Sequence, residues 1–190
     1  HAFAQLLFEA FAAHALTIVG KLEDSMSGVR EAAVEALAKL PAEALAAHAA
    51  AIVGKLEDSD SDVRQAAVKT LAKLPDEALA THAPAIVGKL EDEDSYMRRA
   101  AVHALAQLPA EAFATHAPAI VGKLEDEDEV VRMYTAIALA QLPAEALAAH
   151  APAIVGKLED EDAIVRLSTA IALRSEAHTA EVQPPPRIHR

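Results

Sequence analysis

One phrase returns along this chain at a fixed interval. His14, His48, His82, His116 and His150 stand 34 residues apart, and each is followed by alanine. Around them runs a near-constant frame, LPxEAxAxHAPAIVGKLEDxDxxVRxxAxxALAxL, seen cleanly from Pro75 to Leu108. A unit this short cannot bury its own apolar face, so neighbouring units must stack into a continuous core. The fold class this implies is all-α, a right-handed α-solenoid of stacked helix pairs. An array of this kind presents surfaces rather than pockets, which demotes catalytic readings.

Five units can be written: residues 7–40, 41–74, 75–108, 109–142 and 143–176. They make one domain over residues 1–176. The opening HAFAQL differs by one letter from HALAQL at His103–Leu108. Residues 1–6 therefore read as the remnant of a preceding second helix. The chain reads as a segment of a longer array, or as one whose leader has been removed. The phrase is lost from Ala177, and QPPPR disfavours a helix, so residues 177–190 are expected to be a disordered tail. Arg174, Ser175 and Glu176 end the fifth unit on a more polar note, as suits a terminal repeat.

The composition narrows the partners. Apolar residues make up 53 % of the chain and aromatics only 3 %. Much of that apolar share is alanine, which favours closely spaced helices. A net charge of −12 opposes nucleic acid, whose phosphates require a basic face, and equally opposes anionic membranes. No apolar run reaches the ~18 residues of a spanning helix, and no signal peptide opens the chain. The expected location is soluble, cytoplasmic by default. Without cysteine there are no disulfides, thiolate metal sites or thiol nucleophiles.

Within each unit the breaks are legible. Asp60, Asp94, Asp128 and Asp162 occupy the position of a helix N-cap, just ahead of Val63, Met97, Val131 and Val165. The first unit has Met26 there instead. The helix so begun (helix B) runs to Leu74, Leu108 or Leu142, and Pro75, Pro109 or Pro143 opens the next segment. The other helix (helix A) contains AIVGKLED. Pro84, Pro118 and Pro152 are expected to split it into a short first turn, such as Glu77–Ala80, and a main helix that Thr81 or Thr115 would cap. The run LEDxDxxVRxxAxxAL, with its aspartate, valine and arginine, resembles HEAT repeats in all five units. Armadillo repeats share such short motifs. Tetratricopeptide repeats have a similar period but need a tryptophan, and this chain has none.

The recurrent polar residues read as structural. Arg30, Arg64, Arg98, Arg132 and Arg166 stand beside acidic turns, and each guanidinium is expected to pair with carboxylates of its own or the adjacent turn. The acidic turns lack the glycine and bidentate glutamate of a calcium loop. One histidine per layer, with layers ~8–10 Å apart, cannot share a metal. Some HEAT-like proteins hold di-iron on His-Glu pairs, and no such pair occurs here. No catalytic residue, cofactor or metal site is expected, and so no enzyme. Gly20, Gly54, Gly88, Gly122 and Gly156 are read as places where a neighbouring helix approaches closely.

The repeats differ in one stripe. Three columns of helix B vary almost freely: Gly28, Asp62, Tyr96, Val130, Ile164; Glu31, Gln65, Arg99, Met133, Leu167; and Glu35, Lys69, His103, Ile137, Ile171. Their i, i+3, i+7 spacing places them on one helix face. That face is polar or glycine in the first two units and wholly apolar in the last two, with Tyr134 beside it. Tyr96, Arg99, His103, Val130, Met133, Tyr134, Ile137, Ile164, Leu167 and Ile171 are therefore the candidate protein-binding residues. The competing explanation is repacking, since Val34, Val68 and Val102 become Ala136 and Ala170 where Ile137 and Ile171 appear. The expected function is a non-enzymatic scaffold gripping a protein or helical peptide. The alternative is a homodimer formed through the same patch. A constant frame with one hypervariable stripe is the pattern of an engineered binder, and equally of a natural array expanded by duplication.

Overall fold

In the computed structural model the described residues are 14–182, with side chains to residue 174. The readings of residues 1–6 and 183–190 lie outside them. Every regular element among the described residues is helical. Residues 14–20 form α1, followed by α2 (Ser27–Leu37), α3 (Ala42–Ala46), α4 (Ala49–Val53), α5 (Ser61–Leu71) and α6 (Asp76–Gly88). Then come α7 (Ser95–Leu105), α8 (Ala110–Val121), α9 (Glu129–Leu139), α10 (Ala144–Gly156) and α11 (Ala163–Val182). Helix α11 continues six residues past the boundary read at Glu176.

The chain forms two compact units, dividing after Phe113. In the first, α2, α5 and α7 lie side by side as a layer of B helices, while α4 and α6 form the A layer beneath them. In the second, α9 packs along α11, and α10 lies under both. The same columns build each core. Leu37, Leu71, Leu105 and Leu139 are fully buried on the B helices, and Ile52, Ile86, Ile120 and Ile154 on the A helices. Where α2, α5 and α7 place Ala33, Ala67 and Ala101, α9 and α11 place Thr135 and Thr169. Each buried hydroxyl donates to the carbonyl one turn back, Val131 or Val165, at 2.8 Å. This satisfies the hydroxyl that alanine would have avoided burying.

The start signals work as local chemistry dictates. Asp60 accepts from the amides of Asp62 and Val63, Asp94 from Tyr96, Asp128 from Val130 and Val131, and Asp162 from Ile164 and Val165. Met26 caps α2 without a side-chain bond. Each A helix ends by tightening into a 3₁₀ turn, as in Gly54–Glu57 and Lys89–Glu91.

Three expectations fail. Helices α6, α8 and α10 run unbroken through Pro84, Pro118 and Pro152. Leu79, Ala83 and Ile86 bury one face across the proline, and that packing outweighs one lost main-chain donor. Thr81 does not cap; its hydroxyl donates back to the carbonyl of Glu77 at 2.9 Å. The break occurs instead in the second repeat, at His48, where φ is −111° and no proline is present. The glycines do not admit a neighbouring helix either. A methyl group added at any of them would meet no atom within 4 Å, and none has positive φ. They lie where helix A passes into its 3₁₀ turn, so weak helix propensity, not space, distinguishes the position. Gly88→Ala is therefore expected to stabilise the chain by roughly 0.5–1 kcal/mol. In a thermal melt this should appear as a rise of about 1–4 °C.

Candidate functional site

The acidic turns and the recurrent arginines form a clasp between successive repeats. Arg30 donates through Nε and Nη2 to Asp58 of the following repeat, at 2.8 and 2.6 Å. Its Nη1 donates to the carbonyls of Asp24 and Ser25 in its own turn, at 3.0 and 3.3 Å. Arg132 repeats the arrangement, with Asp160 at 3.1 and 3.0 Å and the carbonyls of Asp126 and Glu127 at 2.9 and 3.2 Å. Arg64 reaches Asp92 through Nη2 alone at 3.2 Å, which leaves its buried Nε without a partner. The planar fork suits the two carboxylate oxygens, and the remaining donors satisfy turn carbonyls that no helix can.

At three junctions a lysine closes the clasp from the other side. Lys55 reaches back to Glu23 at 2.8 Å, Lys89 to Glu57 at 2.7 Å, and Lys157 to Glu125 at 2.9 Å. The gripped aspartate also accepts the amide two residues on, as Asp58 does from Asp60 at 3.1 Å. Hydrogen bonding from Arg30 holds the Asp58 carboxyl below the usual carboxylate range, against the opposing effect of burial. For Asp160 burial is the largest single influence and pushes upward, but Arg132 and the amide of Asp162 together outweigh it. Arg30, Arg64 and Arg132 are thus committed to the stack, paired with a carboxylate of the adjacent turn.

The variable stripe lies elsewhere, on the open side of the B helices. In the first unit, Tyr96 is 59 % exposed, His103 is exposed and Arg99 half-buried. The Arg99 guanidinium carbon stands 4.9 Å from the Tyr96 ring centroid, a cation–π pair. In the second unit, Ile137, Ile164, Leu167 and Ile171 are exposed, at 42, 58, 60 and 60 % respectively. Val130, Met133 and Tyr134 are half-buried. Ile137 and Ile171 therefore face outward rather than into the core, and Ala136 alone fills the place of the earlier valines. Between α9 and α11 the surface sinks into an apolar groove of about 340 Å³, lined by Ile137, Ala140, Gln141, Ser168, Ile171 and Ala172.

The histidines of the repeated phrase stand one to a repeat, exposed at His14 and half-buried at His48, His82, His116 and His150. Among the described residues, no group of three or more His, Asp or Glu is placed to hold a metal ion. No helix among them is long and apolar enough to cross a membrane.

Residues 49–122 match the family model of HEAT repeats, and residues 16–37 match that of a HEAT repeat associated with sister chromatid cohesion. The array is HEAT-like. Solved structures carry the same helical solenoid. An engineered protein of the Northeast Structural Genomics Consortium aligns with a TM-score of 0.67 at 24 % identity, covering 92 % of this chain and 89 % of that one. A designed armadillo repeat protein, in complex with the peptide (KR)4, gives 0.72 at 23 % identity, over 90 % and 84 %. The complex of CpcE and CpcF of phycocyanin lyase from Nostoc sp. PCC7120 gives 0.66 at 17 %, over 85 % and 98 %. No curated protein matches the chain.

The clasp has a pH signature. Because the folded carboxyls of Asp58 and Asp160 titrate below their unfolded value of about 3.9, their contribution is complete above that value. It is lost as pH falls through the lower folded value. Denaturant midpoints should stay level from neutrality to about pH 4 and drop below it. Asp58→Asn should cost roughly 1.5–3 kcal/mol at pH 7 and flatten that acid drop.

Proposed function

We propose that this chain is a non-enzymatic scaffold that binds a protein or helical peptide through the variable faces of its B helices. The second unit supplies the apolar part of that surface, and Tyr96, Arg99 and His103 are the corresponding side chains of the first. One observation carries the proposal. The columns that vary from repeat to repeat lie at the surface, and where they turn apolar Ile137 on α9 and Ile164, Leu167 and Ile171 on α11 stay exposed while Val130 and Met133 are half-buried. Exposed branched and aliphatic side chains serve no purpose in the core of their own repeat, and burying them against a partner is favourable by roughly 1.5–3 kcal/mol each before association costs.

The groove between Ile137 and Ile171 supports the same reading, since an amphipathic helix or extended segment anchors side chains in such clefts. The designed armadillo protein of the same fold, solved with a bound peptide, supports peptide recognition as the mode. A flexible library of helical peptides displayed against the chain should yield binders that depend on this face. Met133→Glu and Leu167→Glu are each expected to weaken them at least tenfold, about 1.4 kcal/mol, with unchanged far-ultraviolet circular dichroism. Binders indifferent to both substitutions would place recognition on another face.

A further inference from the structure

Within the first unit the variable stripe changes sign from one helix to the next. Its third column reads Glu35 on α2, Lys69 on α5 and His103 on α7, and all three are exposed. Lys69 is exposed although α5 lies between α2 and α7. The column therefore opens outward by its direction on the helix, not for want of a neighbour. The second column behaves differently. Glu31, Gln65 and Arg99 are half-buried, Gln65 donates to Asp94 of the next repeat at 3.3 Å, and Arg99 stands over the Tyr96 ring. The stack partly occupies those side chains, which leaves the third column as the charged row a ligand meets first.

Neither Glu35 nor Lys69 belongs to the clasp, whose charges sit at the turns, and among the described residues the two form no ion pair with each other. Packed helices lie ~8–10 Å apart, beyond direct contact for such a pair. A bound α-helix rises about 1.5 Å per residue, so seven residues cover about 10.5 Å and return to the same face. The two spacings agree: one heptad of a bound helix spans one repeat. Lys39 and Lys73 are exposed past the ends of both helices alike, so they do not distinguish the two layers. Asp62 stands two turns before Lys69, about 10 Å along α5, and faces a different part of anything crossing there.

We propose that the first unit recognises an α-helix lying across its B helices and carrying opposite charges seven residues apart. A lysine or arginine of that helix sits over Glu35, and an aspartate or glutamate over Lys69. This rests on the reading of the stripe as a binding surface and adds the charge register of the partner. The occupant is a helix of mixed charge because one of a single sign meets repulsion at one of the two positions. Exposed ion pairs add little affinity, but like charges set opposite each other reject a wrong partner and fix the register. A helix can cross the face in either direction, so both chain orders of the two charges fit.

The test is a displayed library of three-heptad helical peptides selected on the full chain at low salt. Two positions seven apart on one peptide face are each varied among Lys, Glu and Gln. Lys with Glu should be enriched at least threefold over Lys with Lys and over Glu with Glu, and added salt should erase the difference. Lys69→Glu should move the preference to Lys with Lys, and Glu35→Lys to Glu with Glu. The double exchange should restore the mixed pair. Both positions are exposed, so far-ultraviolet circular dichroism should not change. Binders without a charge preference, or with one that neither exchange moves, overturn the proposal. So does a preference for Lys with Lys on the parent chain, which is the result of long-range attraction to a net charge of −12 alone. If such binders still depend on Met133 and Leu167, the charge register falls and the binding surface stands; a library that yields no binder removes both.

Discussion

The fork of one arginine onto the next repeat's aspartate is the constraint around which this structure is arranged. B helices such as α2, α5 and α7 are 11 residues long, too short to persist alone in water. Their own buried faces are largely alanine and valine, each closed by one leucine. The acidic turn between helices adds polar main-chain groups that must find partners. A single guanidinium meets both needs, tying down the turn carbonyls of its own repeat and fixing the distance to the next. The lysine returning from the other side prevents the two layers from sliding. Because both charged partners in the fork are largely shielded from water, removing either one leaves the other stranded.

Much of this was legible in the sequence, for physical reasons that differ by residue. The cap aspartates could be read because capping is settled within three residues, and Met26 could be read as an uncapped start for the same reason. The stripe could be read because a helical period turns spacing into direction. What escaped was whatever depends on packing. Pro84 has a strong local preference to break a helix, yet Leu79, Ala83 and Ile86 keep α6 continuous through it. The glycines looked like points of close approach, but the space around them is empty. Arginine pairing was expected, though only the structure distinguishes the aspartate that is gripped, Asp58, from the one that caps, Asp60. The variable stripe was visible as variation; its groove was not, because a groove is set by how α9 and α11 lie together.

The two sets of residues occupy different sides of the same helices. Columns such as Leu37, Leu71 and Leu105 face the core and scarcely vary, while the column containing Tyr96 and Ile164 faces solvent and varies freely. Exposed isoleucine and leucine on α11 reduce solubility, and the strong negative charge of the chain offsets that tendency.

The uniform joints have one more consequence. Within each unit, successive repeats meet through the same four side chains whatever the stripe carries, so the joint does not register which repeat comes next. Exchanging two internal repeats would permute the order of outward-facing letters while every seam stayed the same. The scaffold is in that respect an alphabet with a fixed grammar. The order of the outward-facing letters is left free by the joints themselves.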